Sequence, residues 1–273
     1  MDDLLCLYPK GEASKSLKGL YLSYQLHRQA LEHDVCIYSN YIASLDGRIA
    51  VCEGNTNEFS VPVCIANARD WRLYQELAAQ ADVMLTSARY FRQLAKGCAQ
   101  DLLPVGQGRA YEDLRDWREQ EGLSAQPDVM VVSSSLDIPL DSLASLSDRK
   151  VWVVTTSRAN MTQKKALQAI GVGILIAGES RVEGVKLKQH LIEKGYRSAY
   201  MIAGPQVHHT LLMAGVLNCM FLTTHLSLLG HDDFHTILKG NMSPVSCELS
   251  SLYLDVKGQQ MFGQYRISHT QNI

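Results

Sequence analysis

The chain has 273 residues, of which 46% are hydrophobic and 20% charged, and its formal net charge is -2. This length and apolar content suit one large folded domain or two small ones and exclude a disordered chain. The near-neutral charge, with no long basic run, excludes a general binder of nucleic acid or of membrane surfaces, though not a local basic pocket.

No apolar run reaches the roughly 18 residues that a bilayer span needs. Met1–Lys10 is acidic and too short in apolar length for a secretory signal, so a cytoplasmic protein is expected. The seven cysteines are scattered, without a Cys-x-x-Cys pair. That distribution predicts reduced thiols, no disulfide framework and no metal site.

Residues 1–34 are expected to form a helical or irregular lead-in. Val35–Ala43 reads as the first core strand and runs into an Asp-Gly turn at Asp46-Gly47. Gly54–Pro62 is a polar loop. Ile65–Gln80 has helical spacing, with Trp71, Leu73, Tyr74 and Leu77 on its apolar side and Arg69, Arg72 and Glu76 toward water. Asp82–Thr86 is a short buried strand, and Ser87 is placed to cap a helix over Arg89–Lys96. Gly97–Pro127 reads as a long loop with a helix near Tyr111–Gln120. Strands follow at Asp128–Ser133, Val151–Thr155 and Gly173–Ala177. A Pro-containing loop follows the first of these. Helices are expected at Met161–Ala169 and Val185–Lys194, the latter stopped by Gly195.

Ala199–Leu229 organises the rest. Tyr200–Ala203 is an apolar strand, Gly204 allows a turn, and Pro205 suits the first position of a helix. Val207, Leu211, Leu212 and Val216 line one face of that helix, Gly215 stops it, and Met220–Leu229 is the next strand. The turn points the backbone N–H groups of Gln206, Val207 and His208 from a helix N-terminus, a position that suits a phosphate. An ordinary crossover in an α/β sheet has the same pattern, and the signal is weaker than a full dinucleotide fingerprint. Near the C-terminus, Glu248–Lys257 and Gln260–Ile267 form a hairpin around Gly258. The order of strands and helices predicts an α/β fold with a mainly parallel sheet and an antiparallel edge. Without repeats or linkers, residues 35–273 read as a single domain after the lead-in.

Several polar groups fall at predicted strand ends. Asp46 can bind a heterocycle or relay a proton, or simply bond its own turn. Ser134 and Arg158, in Ser133-Ser134-Ser135 and Thr156-Ser157-Arg158, have the chemistry for a ribose phosphate, or are ordinary loop polarity. Gly106-Gln107-Gly108 lacks a preceding strand and a third glycine, and is set aside. His231 and His235, flanking Asp232 and Asp233, fit a solvated loop better than a metal site. His208 and His209 lie on the first turn of the helix after Gly204.

Ala43-Ser44-Leu45-Asp46-Gly47-Arg48-Ile49-Ala50 resembles the Ser-Leu-Asp-Gly-Lys/Arg motif of the reductase domain of riboflavin biosynthesis. That domain is the C-terminal half of the bifunctional deaminase–reductase and has a dihydrofolate-reductase-like fold. Ala81–Ser87 is similar to its next strand. Ala203-Gly204-Pro205 through Leu217, with Leu228-Leu229-Gly230, is similar to its second signature. The zinc deaminase pattern is absent. The resemblance implies NADPH, a homodimer, and hydride transfer to a pyrimidine- or pterin-like ring, as in 5-amino-6-(5-phosphoribosylamino)uracil reduction. On the cofactor it implies Gly204, Pro205, Gln206, Val207, Thr86 and Ser87, with Ser134 and Arg158 toward the adenosine end. On the substrate side it implies Asn40, Ser44 and Asp46, with Asp46 the catalytic candidate. The chain departs from the pattern at Ile202 and Asn40, where the family usually has Glu and Lys. Tyr90-Phe91-Arg92 stands near the place of an Asp-Asp-Pro segment, and Asn218-Cys219 replaces an Asp-Glu pair. A reductase of the same fold with another substrate, or a non-catalytic nucleotide-binding or regulatory protein, stays open.

Overall fold

The computed structural model describes residues 3–11, 14–52, 59–100, 103 and 105–268. In chain order the strands and helices begin with β1 (Asp3–Tyr8), β2 (Lys15–Ser16), β3 (Cys36–Ser44), β4 (Ala50–Cys52) and β5 (Phe59–Ser60). Then come α1 (Ala68–Ala79), β6 (Val83–Ser87), α2 (Ala88–Ala95), α3 (Glu112–Gln120), β7 (Asp128–Val132) and α4 (Leu140–Ala144). They are followed by β8 (Val151–Thr155), α5 (Met161–Ala169), β9 (Gly173–Ile176), α6 (Gly184–Glu193), β10 (Ser198–Met201) and α7 (Pro205–Met213). The chain closes with β11 (Cys219–His225), β12 (Phe234–His235), β13 (Ser246–Asp255) and β14 (Gln260–Ser268).

Among the described residues one large sheet runs in the order β2-β1-β13-β14-β11-β3-β10-β6-β7-β8-β9. From β11 to β9 every neighbouring pair is parallel. From β11 to β2 every pair is antiparallel. The expected α/β architecture, a mainly parallel mixed sheet with an antiparallel C-terminal hairpin, is therefore the one observed. Side chains alternate across a strand, so each parallel strand feeds two cores. Tyr38, Met84, Val131, Val153 and Tyr200 join α1, α2, α3 and α5 on one face. Ile37, Leu85, Met130, Val154 and Met201 join α6 and α7 on the other. A separate small sheet, β12-β4-β5, stands beyond the end of β3.

The structure corrects several sequence expectations. The lead-in supplies strands: β1 pairs with β13 at the sheet edge, a contact between the two ends of the chain that no local pattern reveals. Arg72 and Glu76 do not face water; Glu76 is 0% exposed. Its carboxylate accepts from the Gly19 N–H at 2.7 Å, the Tyr21 N–H at 2.9 Å and Arg72 Nε at 2.9 Å. Gln80, also on this side, takes the Leu26 N–H at 2.8 Å and donates to the Tyr21 carbonyl at 2.9 Å. The two side chains thus tie the lead-in onto α1. The first turn of the expected helix is absent, because Asn67 caps α1 by accepting from the N–H groups of Arg69 and Asp70, both at 3.0 Å. The strand read over Tyr200–Ala203 sits earlier, at Ser198–Met201, and the one read to Leu229 ends at His225. The Leu229 N–H turns away to the Asp46 carboxylate instead of extending the ladder. The segment read as a Pro-containing loop contains α4. Of the loop read over Gly54–Pro62, residues 54–58 lie outside the described residues and Phe59–Ser60 form β5.

Candidate functional site

The carboxyl ends of β3, β10 and β6 lie side by side, since β10 inserts between two strands that precede it in the chain. In an open α/β sheet that edge is where a ligand crevice forms. A cavity of about 260 Å³ opens there. Its floor is Asn40, Tyr41 and Ile42 from β3, Thr86 and Ser87 from β6, and Ile202, Ala203 and Gly204 after β10. Asp70, Trp71 and Tyr74 of α1 form one wall, and Arg89, Tyr90 and Gln93 of α2 another. The small sheet roofs it with Ala50, Phe59, Ser60 and His235. The roof holds together by stacking: His235 lies on Phe59 with ring centroids 3.9 Å apart, and Arg48 lies over the Phe234 ring at 4.3 Å.

Asn40, Thr86, Ser87, Gly204 and Pro205 are thus brought together in one cavity. At the start of α7 the Val207 N–H donates to the Gly204 carbonyl at 3.1 Å and the His208 N–H to the same oxygen at 3.4 Å. Val207 is buried in the core. Among the three N–H groups expected to be free, that leaves Gln206 as the open donor. His208 is buried too, with Nδ1 on the Ile237 carbonyl at 3.1 Å and its ring on Tyr41 at 5.0 Å. Burial pulls its pKa down to about 4, so it is a neutral core ring. Gly204 itself has φ −70° and ψ −177°, a conformation that any residue adopts. No atom lies within 4 Å of where its Cβ would stand. Neither backbone strain nor crowding within the protein requires glycine here.

Ser134 and Arg158 follow the carboxyl ends of β7 and β8 and are exposed. Arg158 pairs with Glu179 at 2.5 Å. At roughly 4.8 Å per strand, β8 is roughly 14 Å from β10 along the same edge of the sheet. These two residues do not line the cavity; they stand further along the same edge of the sheet.

Ser44 is the last residue of β3 and Asp46 lies in the turn just past it, both outside the cavity lining. The Asp46 carboxylate is shared among four donors. Ser44 Oγ–H donates to Oδ1. Arg48 Nη1 at 2.7 Å, the Gly230 N–H at 2.9 Å and the Leu229 N–H at 3.1 Å donate to Oδ2. The Ser44 hydroxyl and the Gly230 N–H, with the others, hold its pKa down to about 2. So placed, Asp46 is an ionised brace that joins the turn after β3 to the loop after β11.

Nothing local in the sequence singles out Asp70. It sits in the first turn of α1, where an acid has an ordinary role against the helix dipole. In the fold it is 8% exposed and is the one carboxylate among the described residues that line the cavity. The Thr223 hydroxyl on β11 donates to it, yet burial dominates and pushes its pKa up to about 6.

A parallel sheet wound on both faces, with a cleft across the carboxyl ends of its strands, defines an α/β ligand-binding fold. The chain belongs to the RibD C-terminal domain family, which it matches over residues 35–260. No curated protein matches it in sequence. Among solved structures it is similar to a pyrimidine reductase-like protein from Corynebacterium diphtheriae, at 17% identity and TM-score 0.69, covering 90% of this chain and 98% of that one. It is similar to Acinetobacter baumannii RibD at 17% identity and TM-score 0.62, covering 87% of this chain and 59% of that one. It is also similar to the riboflavin biosynthesis reductase Rib7 of Saccharomyces cerevisiae, at 15% identity and TM-score 0.59, covering 92% of this chain and 99% of that one. No helix among the described residues is long and apolar enough to cross a membrane.

Proposed function

We propose that the protein is a reductase that uses NADPH to reduce a pyrimidine- or pterin-like heterocycle. The observation that carries this reading is Gly204: an unstrained, uncrowded glycine at a helix N-terminus, on the wall of the cavity. A ligand lying flat against the backbone accounts for such a glycine, and the helix end favours a phosphate there. Gly204, Pro205 and the Gln206 N–H would hold the pyrophosphate, and the half-buried Ser87 and buried Thr86 would face the nicotinamide side. Ser134 and Arg158 would take the adenosine end. Arg158 would leave Glu179 to do so, which costs little for an exposed pair. When bound, the cofactor supplies the hydride, and the protein supplies position and electrostatics. Trp71 and Tyr74, stacked 4.7 Å apart at 5°, offer a flat wall to a planar ring, and the roof sheet keeps water from it. Asp46 contributes by fixing the loop it braces. The reading takes the working form to be a homodimer in the cytoplasm, with sedimentation as the check of its size.

Melting the protein with NADPH, with NADH and with neither tests the reading. At about 100 times its Kd, a ligand stabilises the fold by about 2.7 kcal/mol, several degrees in Tm. A shift with NADPH is expected; no shift with either nucleotide refutes cofactor binding. Gly204→Thr sharpens the test. Threonine is a better N-cap than most residues and has room here. The variant should melt no lower than the wild type, yet bind NADPH about a hundredfold more weakly because its side chain occupies the phosphate's place. Unchanged affinity removes Gly204 from the binding site. The apolar Ile202 in the cavity wall favours a second reading, a nucleotide-binding protein without turnover. NADPH that binds but is not oxidised with a panel of pterins and pyrimidines would establish it.

A further inference from the structure

The roof of the cavity also borders a second one. His235 and Phe59 line the cavity, and both also line an outer pocket of about 330 Å³ with Asp232, Asp233, Thr236 and Lys239. The His235 ring thus stands between the site and a polar pocket beside it. Its place is fixed from several sides. β12 pairs with β4, with His235 opposite Ala50, and the His235 carbonyl accepts from the Ile49 N–H at 2.9 Å. The ring lies on Phe59 with 22° between the planes, and the Phe59 carbonyl accepts from Arg89 Nη2 at 2.8 Å. One ring nitrogen bonds the Phe234 backbone, and an imidazole has a second nitrogen with which to exchange a proton. Among the described residues of the cavity lining His235 is the one imidazole, the group that ordinarily exchanges its proton near neutral pH. Asp70, the one carboxylate of that lining, does not line the outer pocket.

We propose that His235 is the proton donor of the site, carrying a proton from the outer pocket to the ligand in the cavity. This deepens the reductase reading and rests on it. Reducing a C=N or C=O bond takes a hydride and a proton. The carbon accepts the hydride, with the substrate reduced and the cofactor oxidised. The electron pair of the broken π bond goes to the nitrogen or oxygen. His235 gives that atom its ring proton and takes another from solvent through the outer pocket. Burial first, then the charges of Arg89 and Lys239, hold the pKa of His235 below the ordinary histidine value. Of the other charged groups about it, Asp232 and Asp233 share the outer pocket, Asp70 shares the cavity, and Arg48 lies over the neighbouring Phe234. The neutral ring is thus favoured at rest, and a proton that it picks up is readily passed on.

The test is the titration of the His235 ring itself, followed by NMR from about pH 4.5 to 8. It is run on protein saturated with NADP+ and on protein saturated with the acid-stable tetrahydro form of NADP. The two cofactors differ in charge only at the nicotinamide, which is positive in NADP+. A positive charge within several ångströms disfavours the imidazolium, so the midpoint is expected at least about half a pH unit lower with NADP+. A histidine that only props up the roof, away from the reacting ring, titrates alike in both complexes. The resonance is assigned by its loss in His235→Gln. Assignment through the wild-type backbone serves equally, so a variant that folds poorly leaves the test intact. Equal midpoints in the two complexes, or a ring that stays neutral down to pH 4.5, overturns the proposal alone. Failure of both cofactors to bind the wild type instead overturns the reductase reading, and this inference with it.

Discussion

Arg118→Met is expected to destabilise the protein by roughly 3–5 kcal/mol, because it takes the donor from several buried backbone carbonyls at once. Arg118 is 0% exposed. Its Nη1 donates to the Ala79 carbonyl at 2.8 Å and to that of Ala81 at 2.9 Å, and its Nε donates to the Ser124 carbonyl at 2.8 Å. The first two belong to the end of α1 and the link into β6. A helix leaves its last carbonyls without partners, and here a side chain from α3 supplies the donors. Burial lowers the guanidinium to about pKa 10, so it stays charged near neutral pH. Methionine keeps much of the bulk but offers no donor, and each buried carbonyl left open costs about 1–3 kcal/mol. Lysine restores a charge without the fork and should recover part of the loss. The consequence reaches the site, since α1 carries Asp70, Trp71 and Tyr74, and β6 carries Thr86 and Ser87. Urea unfolding followed by tryptophan fluorescence measures the effect. A loss below about 1 kcal/mol, within the range of an ordinary hydrogen bond, would mean that the carbonyls find water or another donor.

The parallel half of the fold is legible in the sequence because its strands are short apolar runs and its turns are glycines. The expected Val151–Thr155 strand and Met161–Ala169 helix coincide with β8 and α5. Gly204 and Pro205 locate the start of α7 for the same reason: glycine and proline act through the backbone, which is local. Side chains whose role depends on distant partners are not legible in this way. Glu76 has the helical spacing of a solvent-facing acid, and only the return of Gly19 and Tyr21 onto α1 turns it inward. Asp46 stands out as a loop acid, but its donors Leu229 and Gly230 come from the loop after β11, the neighbouring strand in the sheet but more than 180 residues away along the chain. Asp70 is hidden by its surroundings in sequence. An acid three residues after an Asn cap is what the first turn of any helix prefers. One signal was available: the opposite side of that helix is charged as well, so one charged face had to be buried.

The stability of Asp70→Asn relative to wild type is expected to rise by about 3 kcal/mol between pH 4 and pH 7. The ordinary aspartate pKa is about 3.9, and in the fold burial raises Asp70 to about 6. A tenfold change in proton affinity between the unfolded and folded chain corresponds to about 1.4 kcal/mol. Below pH 4 the carboxyl is protonated in both the folded and unfolded chains, and burying it carries no charge penalty. Between pH 4 and 6 the unfolded chain releases its proton first, so the wild type loses stability as pH rises. Above pH 6 both forms are ionised and the penalty is constant. The stability of the wild type minus that of Asp70→Asn should therefore fall through this window and be flat on either side. Other titrating groups cancel in the difference. Urea unfolding of both proteins at pH 4, 5, 6 and 7 measures it. A difference independent of pH would show that Thr223 already satisfies the carboxylate. The expected sign bears on function. A buried carboxylate without a cation weakens the fold wherever it is ionised, and asparagine would fill the same space without that cost. A group that opposes folding and faces a cavity is at the kind of position where local stability gives way to the needs of a site.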